Sequence, residues 1–380
     1  MSAAKPSAAP ASSSLVERSA HALTLALAMT VLLAPAAGAS WPLAVLGLLL
    51  AAWPLALAER ALAVRAAART LPAGMQVLTR EADARRAWRV LSWSSLAAGL
   101  LAMSLLALLS GALATQAVQT LADGHAGLLA GAQLWPLFTV LVLLTALLRP
   151  LGKAPVLVWL LPVLLLLALA VLPLLTGREA LPLRSDLVLT PALPASAALL
   201  FGALALGGGV GAHWSLAPVA GARAGARQLA PALLLAVLVL AGLHAAAGLA
   251  AVLLGFIVSL LVVTALAQPL LAVARARGLN DWMALTLIFV PAVGISETIW
   301  FFGGSQAIGQ VAGVLAVWMA FNLLVLSLFA GWVMKISHVR KALQLPSEAI
   351  YNVWRVAVRW AAPIVLLAGL AQCLRVWVPA

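Results

Sequence analysis

Apolar residues run along this chain in long stretches, and almost every charged residue falls in the gaps between them. The runs cover about residues 20–41, 43–62, 90–118, 127–148, 154–175, 195–219, 228–247, 249–273, 281–302, 307–335 and 353–375. A helix needs about 20 apolar residues to cross roughly 30 Å of hydrocarbon. These runs are long and Leu/Ala-rich, not short and alternating, so they predict helices and not a closed barrel. The expected fold class is all-α: a polytopic membrane protein of about eleven transmembrane helices. Residues 1–19 read as a disordered tail, Ala/Ser/Pro-rich over 1–16, and 20–375 as one transmembrane domain. The run from Ala22 to Ala34, closed by Pro35 and small residues up to Ser40, also fits a signal peptide. No hydrophilic domain follows it, which favours a span.

Composition agrees with lipid as the solvent. The chain is 65% hydrophobic and 9% charged, where a soluble domain carries roughly 25% charged residues. Net charge is +13. The bases are scattered through short loops and form no basic domain, so they read as topology signals and anionic-lipid contacts, not as a nucleic-acid surface. Arg65, Arg69, Arg80, Arg85, Arg86 and Arg89 follow span two, and Arg149 and Lys153 follow span four. Arg223 and Arg227 follow span six, Arg275 and Arg277 span eight, and Lys335, Arg340 and Lys341 span ten. Every even-numbered gap is basic. Positive loops stay cytoplasmic, so the N-terminus is expected inside and the C-terminus outside, in a bacterial inner membrane. Trp41, Trp53, Trp282, Trp300, Trp332 and Trp377 are expected at span ends, as an interfacial belt. The single cysteine, Cys373, excludes an internal disulfide framework.

Two spans carry helix-breaking text. One is Pro35 to Pro42, late in span one; the other is Leu206-Gly207-Gly208-Gly209-Val210-Gly211-Ala212-His213-Trp214-Ser215, in the middle of span six. Each glycine costs a helix about 1 kcal/mol relative to alanine. The cluster in span six reads either as an unwound segment exposing backbone groups to a ligand or as close helix packing. His213 reads as a solute or proton contact, or as a histidine bonded to a nearby carbonyl. Gln268-Pro269 predicts a kink in span eight, with Thr264 one turn earlier. No Walker, H-E-x-x-H or G-x-S-x-G motif occurs, so nothing argues for an enzyme.

Four pieces of text carry a family resemblance. Leu328-Phe329-Ala330-Gly331-Trp332 and Trp354-Arg355-Val356-Ala357-Val358-Arg359-Trp360-Ala361-Ala362-Pro363-Ile364 resemble the last helices of bacterial neurotransmitter:sodium symporters. Pro54-Leu55-Ala56-Leu57-Ala58-Glu59 resembles that family's second helix, and Phe201 to Gly209 its broken sixth helix. The resemblance implies a LeuT-type fold: inverted repeats of five helices, with helices one and six broken. It implies a secondary transporter of an amino acid or similar amine-carboxylate, with no cofactor other than sodium. The implied solute contacts are Gly38, Ser40, Gly207, Gly209, Gly211 and His213; the implied ion contacts are Ala39, Thr264 and Gln268. The chain departs from the family where oxygen ligands are needed. The first break lacks Asn, and Ala203 and Ala205 stand where the family has serines. Loss of hard oxygen ligands weakens the case for sodium coupling. A second reading follows from it: a non-transporting scaffold or sensor of the same fold, with a membrane-protein partner.

Overall fold

The computed structural model describes residues 41–68, 70–122, 134–153, 155–165, 198–215 and 249–377. Regular structure among these residues is entirely helical. Six helices are long and apolar enough to cross a membrane: Pro42–Ala66, Arg86–Thr115, Ser259–Ala276, Asp281–Gly304, Gln306–Val333 and Glu348–Cys373. They correspond to expected spans two, three, eight, nine, ten and eleven. Span four appears as the shorter helix Trp135–Leu148. Span seven and all of span one before Trp41 lie outside the described residues, as does half of span five. The chain is thus a multi-pass membrane protein.

Several boundaries shift. Spans nine and ten are joined almost without a loop, because Gly304 takes a φ of 54° and turns the chain at a single residue. Trp53 falls in the middle of Pro42–Ala66, half-buried, and not at an interface. The basic gaps also contain helices of their own, Leu71–Glu81 and Ile336–Leu343. Glu81 joins them. It accepts from Arg65 Nε at 2.8 Å and lies 2.5 Å from His338 Nδ1. The end of span two and both loop helices therefore meet at one end of the bundle.

Hydrocarbon offers no hydrogen bonds, so polar groups at membrane depth must find partners in the protein. Most hydroxyls fold back onto their own helix. Ser110 donates to Leu106 O, Thr139 to Trp135 O and Thr264 to Leu260 O, at 2.8, 2.7 and 2.7 Å. Span eight stays helical through Pro269. A few donors cross between spans. Ser296 reaches Ser104 O at 3.0 Å, and Ser327 reaches Val358 O at 2.6 Å.

The text segments that carried the resemblance meet in space. Arg359 Nε donates to Gly331 O at 2.5 Å, and its guanidinium lies over the Trp332 ring, 5.1 Å from the centroid. Both partners lie in π-turns, Phe329–Val333 and Ala357–Ala361. Trp354 Nε1 donates to Pro54 O at 3.0 Å and ties span eleven to span two.

Close approach between spans depends on small residues, as expected where lipid removes most of the hydrophobic drive for helix association. A Cβ on Gly202 would meet Ala44 O at 1.7 Å, and one on Gly47 would meet Leu199 O at 2.1 Å. The first half of span six thus lies directly on the start of span two. Gly202→Val must push these helices apart. The expected cost is about 2 kcal/mol, read as a lower melting temperature of the purified protein. Orientation is tested with single cysteines at Asp83, Ala276 and Ser347, three exposed loop or helix-end positions on basic gaps, in a Cys373→Ala background. A membrane-impermeant maleimide is expected to label none of them in intact cells and all of them after permeabilisation. Labelling of one alone would break the span register.

Candidate functional site

Span six enters as the helix Ala198–Leu204, stops, and restarts at Ala212–Ser215. Gly207, Gly209 and Gly211 take φ values of 67°, 83° and 76°. L-residues with a side chain rarely adopt these angles, so alternate glycines reverse the helical hand and unwind the segment. Gly209 is also required by contact, since its Cβ would lie 2.5 Å from Met319 O on span ten. Residues 207–211 are therefore a break, and within it Gly209 also packs closely on span ten.

Unwinding frees backbone groups in a fully buried place. Leaving one unpaired costs about 1–3 kcal/mol. Gly207 N–H turns back onto Leu204 O at 2.8 Å. Gly209 O accepts from Asn322 Nδ2 at 2.8 Å. Asn322 Oδ1 in turn accepts from Ser94 at 2.6 Å, and Ser94 Oγ accepts from Trp318 Nε1 at 2.8 Å. This directed chain links spans ten and three to the break. Leu206 O lies 2.7 Å from His213 Nε2, so that nitrogen carries the proton and His213 closes over the break from the restarted helix. His213 Nδ1 is left buried without a partner. Trp214 N–H donates to Glu59 Oε1 at 3.0 Å, and Trp214 Nε1 donates to Ala68 O at 3.1 Å.

Glu59 and Arg60 are both buried within span two, which continues to Ala66 and so places them deeper than a span ending at 62 would. A buried carboxylate is costly unless paired or hydrogen-bonded. Here the Trp214 N–H and the nearby Arg60 charge compensate it.

A small cavity lies against the break, with room for one water-sized occupant (about 10 Å³). Glu59, Ser95, Gly209, Gly211, Trp214 and Asn322 line it. The indole of Trp214 covers it toward the loop helix Leu71–Glu81, where a Cβ on Gly74 would strike the ring at 1.9 Å. An amino acid does not fit this space, and the wall on that side is shut.

Of the residues expected at the site, Gly207, Gly209, Gly211 and His213 come together at the break. Thr264 and Gln268 lie one turn apart on span eight, which packs against the restarted helix. Gly38, Ala39 and Ser40 lie outside the described residues. Sequence reasoning missed Glu59, Arg60, Ser94, Trp214 and Asn322 as parts of the site. The available signal was their polarity within apolar runs, since an ionisable or amide side chain at membrane depth marks a functional or structural contact.

Glu59→Leu is expected to cost about 1–3 kcal/mol more than Glu59→Gln, because Gln keeps an acceptor for the Trp214 N–H. Asn322→Leu strands Gly209 O and is expected to cost about as much. Thermal unfolding of the purified variants checks both; equal melting points for the two Glu59 variants would show that the N–H bond is not the anchor.

No protein-family model matches the sequence, and no curated protein matches it at a significant level. Among solved structures the fold matches MhsT in complex with L-phenylalanine, with a TM-score of 0.61 and 18% identity over 94% of this chain and 97% of that one. MhsT is a transporter of the LeuT fold, and the chain described here is built on that fold.

Proposed function

We propose that the protein is a secondary transporter that moves an amino acid or similar small amine-carboxylate by alternating access. The observation that carries this reading is the unwound centre of span six, buried at membrane depth and held by side chains from spans two and ten. A break of this kind places backbone N–H and C=O groups where a solute can meet them. The shared fold with MhsT, whose structure contains L-phenylalanine, supports the same substrate class. The solute is placed at the break, beside Gly207, Gly209, Gly211 and His213, and Gly38 and Ser40 of span one, outside the described residues, stay candidate contacts by sequence alone. Gly209 O and Gly207 N–H are already engaged, so solute binding there competes with or rearranges these bonds. The shut wall at Trp214 corresponds to a state closed toward the basic loops, which the positive-inside rule assigns to the cytoplasm.

Sodium coupling has less support. Ala39, Thr264 and Gln268 are the candidate ion contacts, but the Thr264 hydroxyl donates to its own helix, and Ala203 and Ala205 are fully buried apolar residues. Those two alanines favour the second reading, a scaffold that keeps the fold without ion-driven transport and binds a membrane partner.

Uptake of labelled L-phenylalanine into proteoliposomes separates the two. Accumulation is expected, with less than a two-fold change when sodium replaces potassium. No uptake of any amino acid under sodium, proton or no gradient would remove the transporter reading. A stoichiometric membrane partner on purification would then favour the scaffold.

A further inference from the structure

Arg60 is fully buried, and all three of its guanidinium nitrogens have no hydrogen-bond partner among the described residues. A guanidinium does not lose its proton in a protein, so the charge cannot be shed as a lysine's can. No described residue balances it by contact. Glu59, its sequence neighbour, acts on it through space but forms no ion pair with it and bonds Trp214 N–H instead. Apart from Asp281 at the head of span nine, the eleven apolar runs contain only two carboxylates, Glu59 and Glu297. Residues 22–58 and 216–275 contain no Asp or Glu at all. Glu59 is thus a counter-charge without contact, and a buried guanidinium whose donors meet no acceptor is strongly unfavourable. No described residue supplies the acceptor, and a small external anion has acceptors of the right kind.

We propose that Arg60 holds one small monovalent anion beside the break, either the carboxylate of the transported solute or a free halide. The carboxylate source rests on the transporter reading above; the halide source does not. A carboxylate matches the guanidinium fork in two parallel bonds. His213 supports that source. Its ring is within electrostatic reach of Arg60, and its buried Nδ1 is an unfilled acceptor. A solute carrying a carboxylate and an N–H donor fills both vacant sets, whereas a halide fills one. The fixed cation also supplies the positive charge that a bound sodium would otherwise bring to a carboxylate, so carboxylate binding here needs no metal ion.

The test uses the full chain in lipid nanodiscs, in potassium sulfate buffer free of halide and carboxylate. Thermal stability is titrated with potassium chloride, with L-phenylalanine, and with phenethylamine, which keeps the ring and amine but has no carboxylate. Chloride or L-phenylalanine is expected to raise the melting temperature saturably, and phenethylamine is not. Arg60→Met is expected to weaken the active anion at least tenfold, and Arg60→Lys less. Wild-type protein indifferent to both anions overturns the proposal, as does a folded Arg60→Met that keeps full affinity. If Arg60→Met does not fold, crystals of the wild type soaked in bromide or L-phenylalanine decide. An anomalous bromide peak or carboxylate density against the guanidinium supports the site, and water alone there overturns it. A chloride response without any amino-acid binding removes the transporter reading and leaves the site as a halide site. L-phenylalanine binding untouched in folded Arg60→Met removes the site and leaves the transporter reading standing.

Discussion

Lipid gives no hydrogen bonds to an unwound backbone, so a helix can break in the membrane only where other side chains take up what the break releases. The rest of this structure is arranged around that requirement. Span six stops for seven residues between Leu204 and Ala212. Glu59 receives an N–H from the restarted helix, Asn322 donates to Gly209 O, and His213 bonds back to Leu206 O. Spans two and ten are thus held in register with span six by the needs of one short segment. Asn322 is supported in turn by Ser94 and Trp318, so the break couples span three as well.

The same constraint explains which text is recognisable in this chain. Arg359, Gly331, Trp332, Trp354 and Pro54 all take part in inter-span contacts at π-turns or helix junctions. None of them lines the cavity at the break. They hold the scaffold, and scaffold contacts persist when a binding site changes. Ala203 and Ala205 are apolar and fully buried beside the break. Fold alone does not carry function across.

A buried arginine changes the electrostatics of such a site. A bound metal ion is mobile charge that comes and goes with the solute, whereas Arg60 is fixed charge that is present in every state. A transporter built with fixed charge binds an anion without a co-ion, but it loses the ion gradient as a drive.

Much of the architecture was legible in one dimension. Long apolar runs separated by basic gaps specify membrane spans because hydrocarbon thickness and the cost of buried charge act on local sequence alone. The glycine cluster of span six was visible as well, but sequence left unwinding and close packing open, and only the φ values at Gly207, Gly209 and Gly211 decided for unwinding. What sequence could not show was which residues answer the break. Glu59 lies 155 positions from Trp214, and Asn322 lies 113 from Gly209. Glu59 looked like the end of span two because helix length is set by packing and not by hydropathy, and the helix runs on to Ala66. Nothing in the linear text set Arg60 apart. Only the tertiary structure buried it, because whether a charge meets water or protein depends on what the other helices place over it.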